Sequence, residues 1–183
     1  MTRNEAIDLL VRRDISRLSL EEREGLLLDW WSIDASDPDY DNLPHLLRVA
    51  IVRTDQPDDP GESLNDPLLR VALRRPYVGV LNSYLGRQIA ILGGDETVDG
   101  DVEELVACPC CGYRSLRERG VYEICRVCFW EDDGTMEPNH VSGPNHMTLR
   151  EARLNFQHFG AVTEKARAHV LPDGKERFAL AVT

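Results

Sequence analysis

The chain lacks the long apolar segments that membrane proteins need. No stretch of its 183 residues approaches the ~18 to 20 uninterrupted apolar residues of a membrane-spanning helix. The N-terminus enters a charged segment directly, without the apolar region of a signal peptide. We therefore expect a cytoplasmic protein with no membrane partner.

The familiar sequence signatures of catalysis are also missing. There is no glycine-rich phosphate-binding loop, no Ser/His/Asp constellation and no metal motif with an open coordination position. Hydrophobic residues nevertheless make up 42% of the chain, which is enough to build a packed core. These features predict a globular protein that is not an enzyme.

Cysteine occurs only five times, and an odd number does not suit a framework of disulfide bonds. Four of the five form two Cys-x-x-Cys pairs, Cys108 with Cys111 and Cys125 with Cys128, separated by thirteen residues. This pattern is typical of a metal site made of thiolates in a reducing compartment.

The four paired cysteines predict one structural Zn²⁺, because four protein thiolates fill a tetrahedral shell and leave no position for water. Iron in a rubredoxin-like site uses the same spacing and stays an alternative. A redox-active dithiol is disfavoured, since no βαβ scaffold is visible. The fifth cysteine, Cys110, is expected to point away from the metal and fill a gap. Phe129 and Trp130 are expected to cover the metal site.

Residues 1–94 carry the pattern of a helical, acidic domain. Capping boxes at Thr2 and Ser19 each predict a helix start, because a hydroxyl and a carboxylate satisfy backbone amides there. Further helices are predicted over 43–53, 66–74 and 77–92.

The helical pattern gives way to cysteine spacing within a Gly- and Asp-rich segment. Strands at 113–117 and 121–125 are predicted to form a hairpin between the cysteine pairs, followed by a helix that begins at Thr148 and ends at Gly160. The fold class is thus α+β. The predicted organisation is a helical acidic domain at 1–94, a linker at 95–104, a zinc-ribbon-like domain at 105–160, and a C-terminal tail or hairpin at 161–183.

Three motifs carry a resemblance to a known family. They are Cys108-Pro-Cys-Cys-Gly-Tyr113, the segment from Tyr122 to Gly134 that holds the second pair, and the segment from Asn145 to Phe156. In this order they resemble the bacterial cysteine-rich CPCC family over about residues 105–160. The resemblance implies a metal-binding module and, through some relatives, an immunity protein that neutralises a bacterial toxin.

The net charge is −11, and the acids are concentrated in residues 1–100, with 19 Asp+Glu against 11 Lys+Arg. Such a charge attracts basic proteins and repels nucleic acid. The leading hypothesis is a non-catalytic zinc-binding protein that docks onto a basic partner such as a toxin. The candidate partner surface comprises Trp30, Trp31, Asp34, Asp37, Asp39 and Asp41.

Two other functions remain open. Four arginines near the cysteines could contact nucleic acid, as in many zinc ribbons, namely Arg114, Arg117, Arg119 and Arg126. His140 and His146 could belong to an HNH-like nuclease site, although they follow both cysteine pairs instead of lying between them. The simpler interpretation is that Asn145 and His146 order the loop before Thr148.

Overall fold

The computed structural model describes residues 1–94 and 97–181, and the chain divides into two compact units. The first unit consists of Met1–Val78 and Leu85–Gly100, and the second of Gly79–Tyr84 and Asp101–Thr183. Among the described residues, no helix combines the length and the apolar character needed to cross a membrane.

The N-terminal part of the chain is helical, as predicted. Its α-helices are α1 (Arg3–Arg17), α2 (Leu20–Trp30), α3 (His45–Arg53), α4 (Asp66–Arg74) and α5 (Asn82–Ile91). Short 3-10 segments lie at Tyr40–Asn42, Ser63–Asn65 and Arg75–Tyr77.

Helices α1 and α2 begin with the capping boxes that the sequence predicts. The Thr2 hydroxyl accepts a hydrogen bond from the Glu5 amide at 3.3 Å, and the Glu5 carboxylate accepts one from the Thr2 amide at 2.8 Å. Ser19 and Glu22 repeat the arrangement. Both helix starts are local events, since every partner lies within three residues.

Two predicted helices differ from the structure. The helix predicted over 43–53 begins at His45, because Leu43 precedes a proline and is held in an extended conformation. The helix predicted over 77–92 is interrupted at Gly79, whose φ of +73° lies in the left-handed region. A side chain there would also meet Leu105 at 2.2 Å. The chain therefore breaks at Gly79 and resumes as α5.

The core of the first unit forms where α1 and α2 pack against α4. Leu27, Leu47, Leu68 and Leu69 are fully buried in it. Trp31 is also buried, and its indole N–H donates to the Thr54 carbonyl at 2.9 Å. This hydrogen bond satisfies the polar atom of a side chain that otherwise contributes apolar packing.

The second unit has little regular structure. Its strands and α-helices after residue 101 are β1 (Val106–Ala107), β2 (Arg114–Leu116), β3 (Val141–Ser142), β4 (Met147–Thr148), α6 (Leu149–Phe159) and α7 (Gly174–Arg177), with a 3-10 segment at Lys165–Ala168. Strands β1 and β2 form one antiparallel pair, and β3 and β4 form another. Thr148 caps α6 through a capping box and Gly160 ends it with a φ of +76°, so the predicted helix and the α+β fold class are confirmed.

The hairpin predicted between 113–117 and 121–125 is wrong. Strand β2 pairs with β1, which lies before the first cysteine pair, and 121–125 forms no strand. Instead, Ile124 makes an isolated antiparallel bridge with Glu131 on the far side of the second pair. The reason is local: each Cys-x-x-Cys turn brings its own flanking segments together, so each pair closes its own short hairpin.

The C-terminal segment is neither a loose tail nor a hairpin over its described residues. The Val162 amide donates to the Cys128 carbonyl at 2.8 Å, and the Ala181 amide donates to the Gly112 carbonyl at 2.9 Å. Phe178 is buried. The Pro172-Asp173-Gly174 sequence leads into α7 instead of turning a hairpin. Residues 182 and 183 lie outside the described part.

One boundary between the two units, between Gly100 and Asp101, lies within the predicted linker, 95–104. Residues 95 and 96 lie outside the described part of the chain. Asp99 belongs to the first unit, where its carbonyl accepts from the Arg3 amide at 2.7 Å and its amide donates to the Met1 carbonyl at 3.0 Å. The second unit begins again at Asp101.

Candidate metal centre

The first cysteine pair sits on a tight turn between β1 and β2. The Cys108 amide donates to the Tyr113 carbonyl, and the Gly112 amide donates back to the Cys108 carbonyl, each at 2.9 Å. Gly112 has a φ of +77°, a conformation that glycine adopts without a steric penalty. The turn directs Cys108 and Cys111 to the same side.

The second pair repeats this geometry. The Cys125 amide donates to the Trp130 carbonyl, and the Phe129 amide donates to the Cys125 carbonyl, each at 2.8 Å. The left-handed position that Gly112 occupies in the first turn is taken here by Phe129, with a φ of +70°. Its ring stacks on His169, with centroids 5.2 Å apart, and this contact helps to hold the unfavourable backbone conformation.

The two turns bring four sulfur atoms together. All four Sγ atoms lie within 4.8 Å of one another, and the Cys108–Cys128 and Cys111–Cys125 separations are both 3.6 Å. A sulfur tetrahedron around a metal at about 2.3 Å has edges of about 3.8 Å, whereas a disulfide bond is about 2.05 Å long. All five cysteines are free. The four sulfurs are therefore spaced for a metal ion and not for disulfides.

Two polar groups approach the sulfur of Cys125. The Ser115 hydroxyl lies 3.0 Å from it, and the Val127 amide donates to it at 3.4 Å. Ser115 lies on β2 and is fully buried. The sequence analysis missed Ser115. Its only signal is a serine on a short strand next to a cysteine pair, and the partner sulfur lies ten residues away.

Each of the four thiols affects the pKa of its neighbours. A hydrogen bond with the Cys111 side chain is the largest cause of the raised pKa of Cys108. Burial is the main cause of the raised pKa of Cys128. The pKa of Cys125 is lowered, because hydrogen bonds from the other three thiols stabilise its thiolate. A divalent cation at the centre would balance several thiolates at once, which these thiols cannot do for one another.

The cysteine cluster and several apolar side chains of the second unit are buried. Cys125, Cys128 and Trp130 are fully buried, and so are Leu149 and Ala152 of helix α6. The covering of the metal site by Phe129 and Trp130 stays a prediction.

Cys110 is also buried but does not belong to the group of four sulfurs. It adds to the raised pKa of Cys128, after burial and Cys108. Cys110 is thus the one cysteine outside the cluster, and the expected direction of its side chain stays a prediction.

The predicted partner surface lies in the first unit and is only partly available. Trp31 belongs to the core, and the Arg75 guanidinium stacks over Trp30 at 5.5 Å. Arg75 also forms ion pairs with Asp37 at 2.8 Å and Asp39 at 2.9 Å.

The two other acids of that surface, Asp34 and Asp41, remain exposed. Asp34 accepts from the Ser36 amide at 2.8 Å. Hydrogen bonds from the Ser36 side chain and then from its amide lower the pKa of Asp34. Asp41 pairs with Arg48 at 3.4 Å, and its side chain is 87% exposed.

His140 and His146 lie in loop segments, and Asn145 beside His146 forms hydrogen bonds with Glu131. Asn145 accepts from the Glu131 amide at 3.0 Å and donates to the Glu131 carbonyl at 2.7 Å. Within residues 1–94 and 97–181, the cysteines form the only group of three or more candidate metal ligands, so His140 and His146 form no second cluster there.

The four arginines near the cysteines lie in different environments. Arg119 pairs with the fully buried Asp132 at 2.7 Å, and Arg126 lies over the Phe178 ring at 4.6 Å. Arg114 donates to the Leu105 carbonyl at 3.2 Å. Arg117 is exposed.

A comparison with known protein families identifies a cysteine-rich family over the segment that holds the four clustered cysteines. Residues 106–176 match the family model described as "Cysteine-rich CPCC". The match covers both cysteine pairs and helix α6, and it ends within α7. No curated protein and no solved structure matches the chain. Residues 106–176 are therefore similar to the cysteine-rich CPCC family, and they hold four clustered cysteines that could bind a metal ion.

Proposed function

We propose that Cys108, Cys111, Cys125 and Cys128 bind one Zn²⁺ ion, and that this ion is structural. The observation that supports the proposal is the set of 3.6 Å sulfur separations within a buried cluster. Thiolate sulfur is a preferred ligand of zinc, and a tetrahedral four-sulfur shell suits it.

A structural role follows from the number of ligands. Four protein thiolates occupy every position of a tetrahedral ion, so no position remains for a water or a substrate. The metal would then act by joining the two cysteine turns, which share no strand pairing with each other. Free buried thiols of this kind suit a reducing compartment such as the cytoplasm.

The test is a measurement of metal content on the purified full chain. We expect one zinc per chain, no visible absorption from an iron–thiolate centre, and loss of the ordered second unit after chelation. The matched variants are Cys111→Ser and Cys110→Ser, which alter adjacent cysteines of which only Cys111 belongs to the cluster. Cys111→Ser should lose zinc and Cys110→Ser should retain it. A full zinc content in Cys111→Ser, or one iron per chain in the wild type, would overturn the proposal.

The proposed activity is non-catalytic binding to a basic protein, such as a toxin that the chain neutralises. The supporting observation is the net charge of −11 together with the concentration of acids in residues 1–100. Asp34 and Asp41 are the exposed acids of the predicted surface. Long-range attraction would speed encounter with a positively charged target.

Co-expression with the product of an adjacent toxin-like gene tests this activity through cell growth. The wild type should protect the cells, and Asp34→Lys combined with Asp41→Lys should protect less. The control is Glu137→Lys, which changes the charge at an exposed position of the second unit. Absence of protection by the wild type, or equal protection by the variant that carries both aspartate substitutions, would count against a basic protein partner at this surface.

A further inference from the structure

An open cavity of about 530 Å³ lies in the first unit, where the end of α1, the start of α2 and the first half of α4 meet. Its lining includes three guanidinium groups and three aliphatic side chains. We call it the arginine groove, and it is defined by Arg12, Arg23, Arg70, Ile15, Leu18 and Leu20.

The charge of this groove is opposite to that of the protein. The chain has 32 Asp+Glu and 21 Lys+Arg, yet Asp66 is the only carboxylate among the described residues that line the cavity. Three arginines and one aspartate give the lining residues a net charge of +2. Like charges confined to one concave site raise the local potential, and a bound anion would lower it.

Two of the arginines have no partner of their own. Within residues 1–94 and 97–181, neither Arg12 nor Arg70 forms an ion pair or a side-chain hydrogen bond, and both are exposed. Other arginines of this unit form ion pairs, as Arg75 does with Asp37. The guanidinium donors of Arg12 and Arg70 are therefore available to a ligand.

The third arginine is held in place. Arg23 donates to the Pro60 carbonyl at 3.1 Å and to the Asp66 carboxylate at 2.7 Å, and its side chain is only 13% exposed. These two bonds orient the guanidinium against the wall of the groove. A ligand would meet one rigid cation and two adaptable ones, so part of the ordering cost is already met by the fold.

We infer that the arginine groove binds a phosphate monoester carried on an apolar group. A phosphate monoester carries about −1.5 to −2 charges at pH 7, which matches the two uncompensated positive charges, whereas a carboxylate supplies one. Guanidinium groups bind phosphate oxygens through paired hydrogen bonds. Ile15, Leu18 and Leu20 supply the apolar contact for the organic part. This site lies outside the metal cluster and goes beyond the function proposed above.

Isothermal titration calorimetry of the full chain with phenyl phosphate tests the inference. Arg12→Gln and Arg70→Gln should each weaken binding by about tenfold or more, since each removes a charge-assisted hydrogen bond. Arg17→Gln is the matched control: it changes an exposed arginine of the same helix that does not line the groove. Circular dichroism would check that all three variants remain folded.

Two further ligands separate the contributions. Inorganic phosphate should bind more weakly than phenyl phosphate because it lacks the apolar contact, and benzoate should bind more weakly because it carries one charge. Equal affinity of wild type, Arg12→Gln and Arg70→Gln, or no binding of phenyl phosphate at millimolar concentration, would overturn the site. Equal binding of inorganic phosphate would reduce it to an adventitious anion only, and equal binding of benzoate would overturn the choice of a phosphate monoester.

Discussion

The Ser115 hydroxyl lies 3.0 Å from the Cys125 sulfur, and both residues are fully buried. Ser115 stands on β2, which follows the first cysteine pair, whereas Cys125 begins the second pair. This contact therefore links the two cysteine turns independently of a metal. It also contributes to the lowered pKa of Cys125, after the three neighbouring thiols.

We predict that Ser115→Ala weakens metal binding by about tenfold or more, because hydrogen bonds to a ligand tune and orient it. Competition with a chromophoric chelator would measure the affinity. The control is Ser142→Ala, which removes another fully buried serine of the same unit, bonded to Asp133 at 2.7 Å. Both variants should lose stability, but only Ser115→Ala should lose metal affinity. Equal affinities would show that the Ser115 hydroxyl does not act on the metal site.

Asp132 is fully buried and depends on Arg119 for charge compensation. Arg119 donates to both carboxylate oxygens, at 2.7 and 3.1 Å, and the Gly120 amide adds a bond at 2.8 Å. We predict that Arg119→Ala lowers the free energy of unfolding by about 3 kcal/mol, because it leaves a buried carboxylate without its cation. Urea denaturation would measure the change.

Arg117→Ala provides the comparison for this prediction. Arg117 is exposed two residues away and forms no ion pair among the described residues. Its substitution should change stability by no more than about 0.5 kcal/mol. Similar losses in the two variants would contradict the assigned role of the Arg119–Asp132 pair.

Tyr84, Asp173 and Arg177 form a network that joins 79–84 to α7 within the second unit. The Tyr84 hydroxyl donates to Asp173, Arg177 donates to both carboxylate oxygens of Asp173, and the Arg177 guanidinium stacks over the Tyr84 ring at 4.9 Å. Partial burial acts to raise the pKa of Asp173, but the bonds from Arg177 and Tyr84 outweigh it and lower this pKa.

The lowered pKa of Asp173 sets the sign of a pH dependence. Its ionised form is favoured in the folded state, so the stabilisation is fully present above the ordinary carboxyl pKa of 3.8 and is lost as the pH falls through the folded-state value. We expect Asp173→Asn to cost about 1 to 2 kcal/mol at neutral pH.

Thermal unfolding between about pH 2 and pH 7 would test the Asp173 prediction, with the difference between wild type and Asp173→Asn shrinking towards acid. Asp101→Asn, at an exposed position of the same unit, is the control. A difference that stays constant with pH would exclude an ionised Asp173 as the source of the stabilisation.

Two glycines should respond in opposite ways to alanine. Gly79 combines a φ of +73° with a position where a Cβ would lie 2.2 Å from Leu105, so Gly79→Ala should cost about 2 to 4 kcal/mol. Gly25 lies exposed within α2, where an added Cβ would have no neighbouring atom within 4 Å. Gly25→Ala should therefore stabilise the protein by about 0.5 to 1 kcal/mol. Thermal melts of both variants would check the signs.

Local chemistry explains which parts of the fold could be predicted from the sequence. The capping boxes at Thr2, Ser19 and Thr148 involve partners three residues apart, so their pattern is visible in the sequence and the structure confirms it. The cysteine spacing is a signal of the same kind, because each Cys-x-x-Cys turn is closed by its own backbone hydrogen bonds. The predicted strand pairing was wrong for a related reason: each hairpin closes around one cysteine pair, and none forms between the two pairs.

Contacts between residues far apart in the chain could not be predicted from the sequence. Trp31 donates a hydrogen bond to Thr54, whereas Trp30 lies under the guanidinium of Arg75. Both partners lie more than twenty residues further along the chain. The same arginine forms ion pairs with Asp37 and Asp39, two acids of the predicted partner surface. No sequence pattern near residue 30 predicts that Arg75 lies beside this segment in the folded protein.

The sequence by itself determined the helix starts at the capping boxes of Thr2, Ser19 and Thr148, the four cysteines and the acidic charge, because each depends on residue type and short spacing. Only the tertiary structure decided that Ser115 reaches a cysteine sulfur, that residues 161–181 pack onto the cysteine turns, and that Arg12, Arg23 and Arg70 line one groove. Those relationships join residues far apart in the chain, and side-chain packing and backbone pairing bring them together only when the whole unit folds.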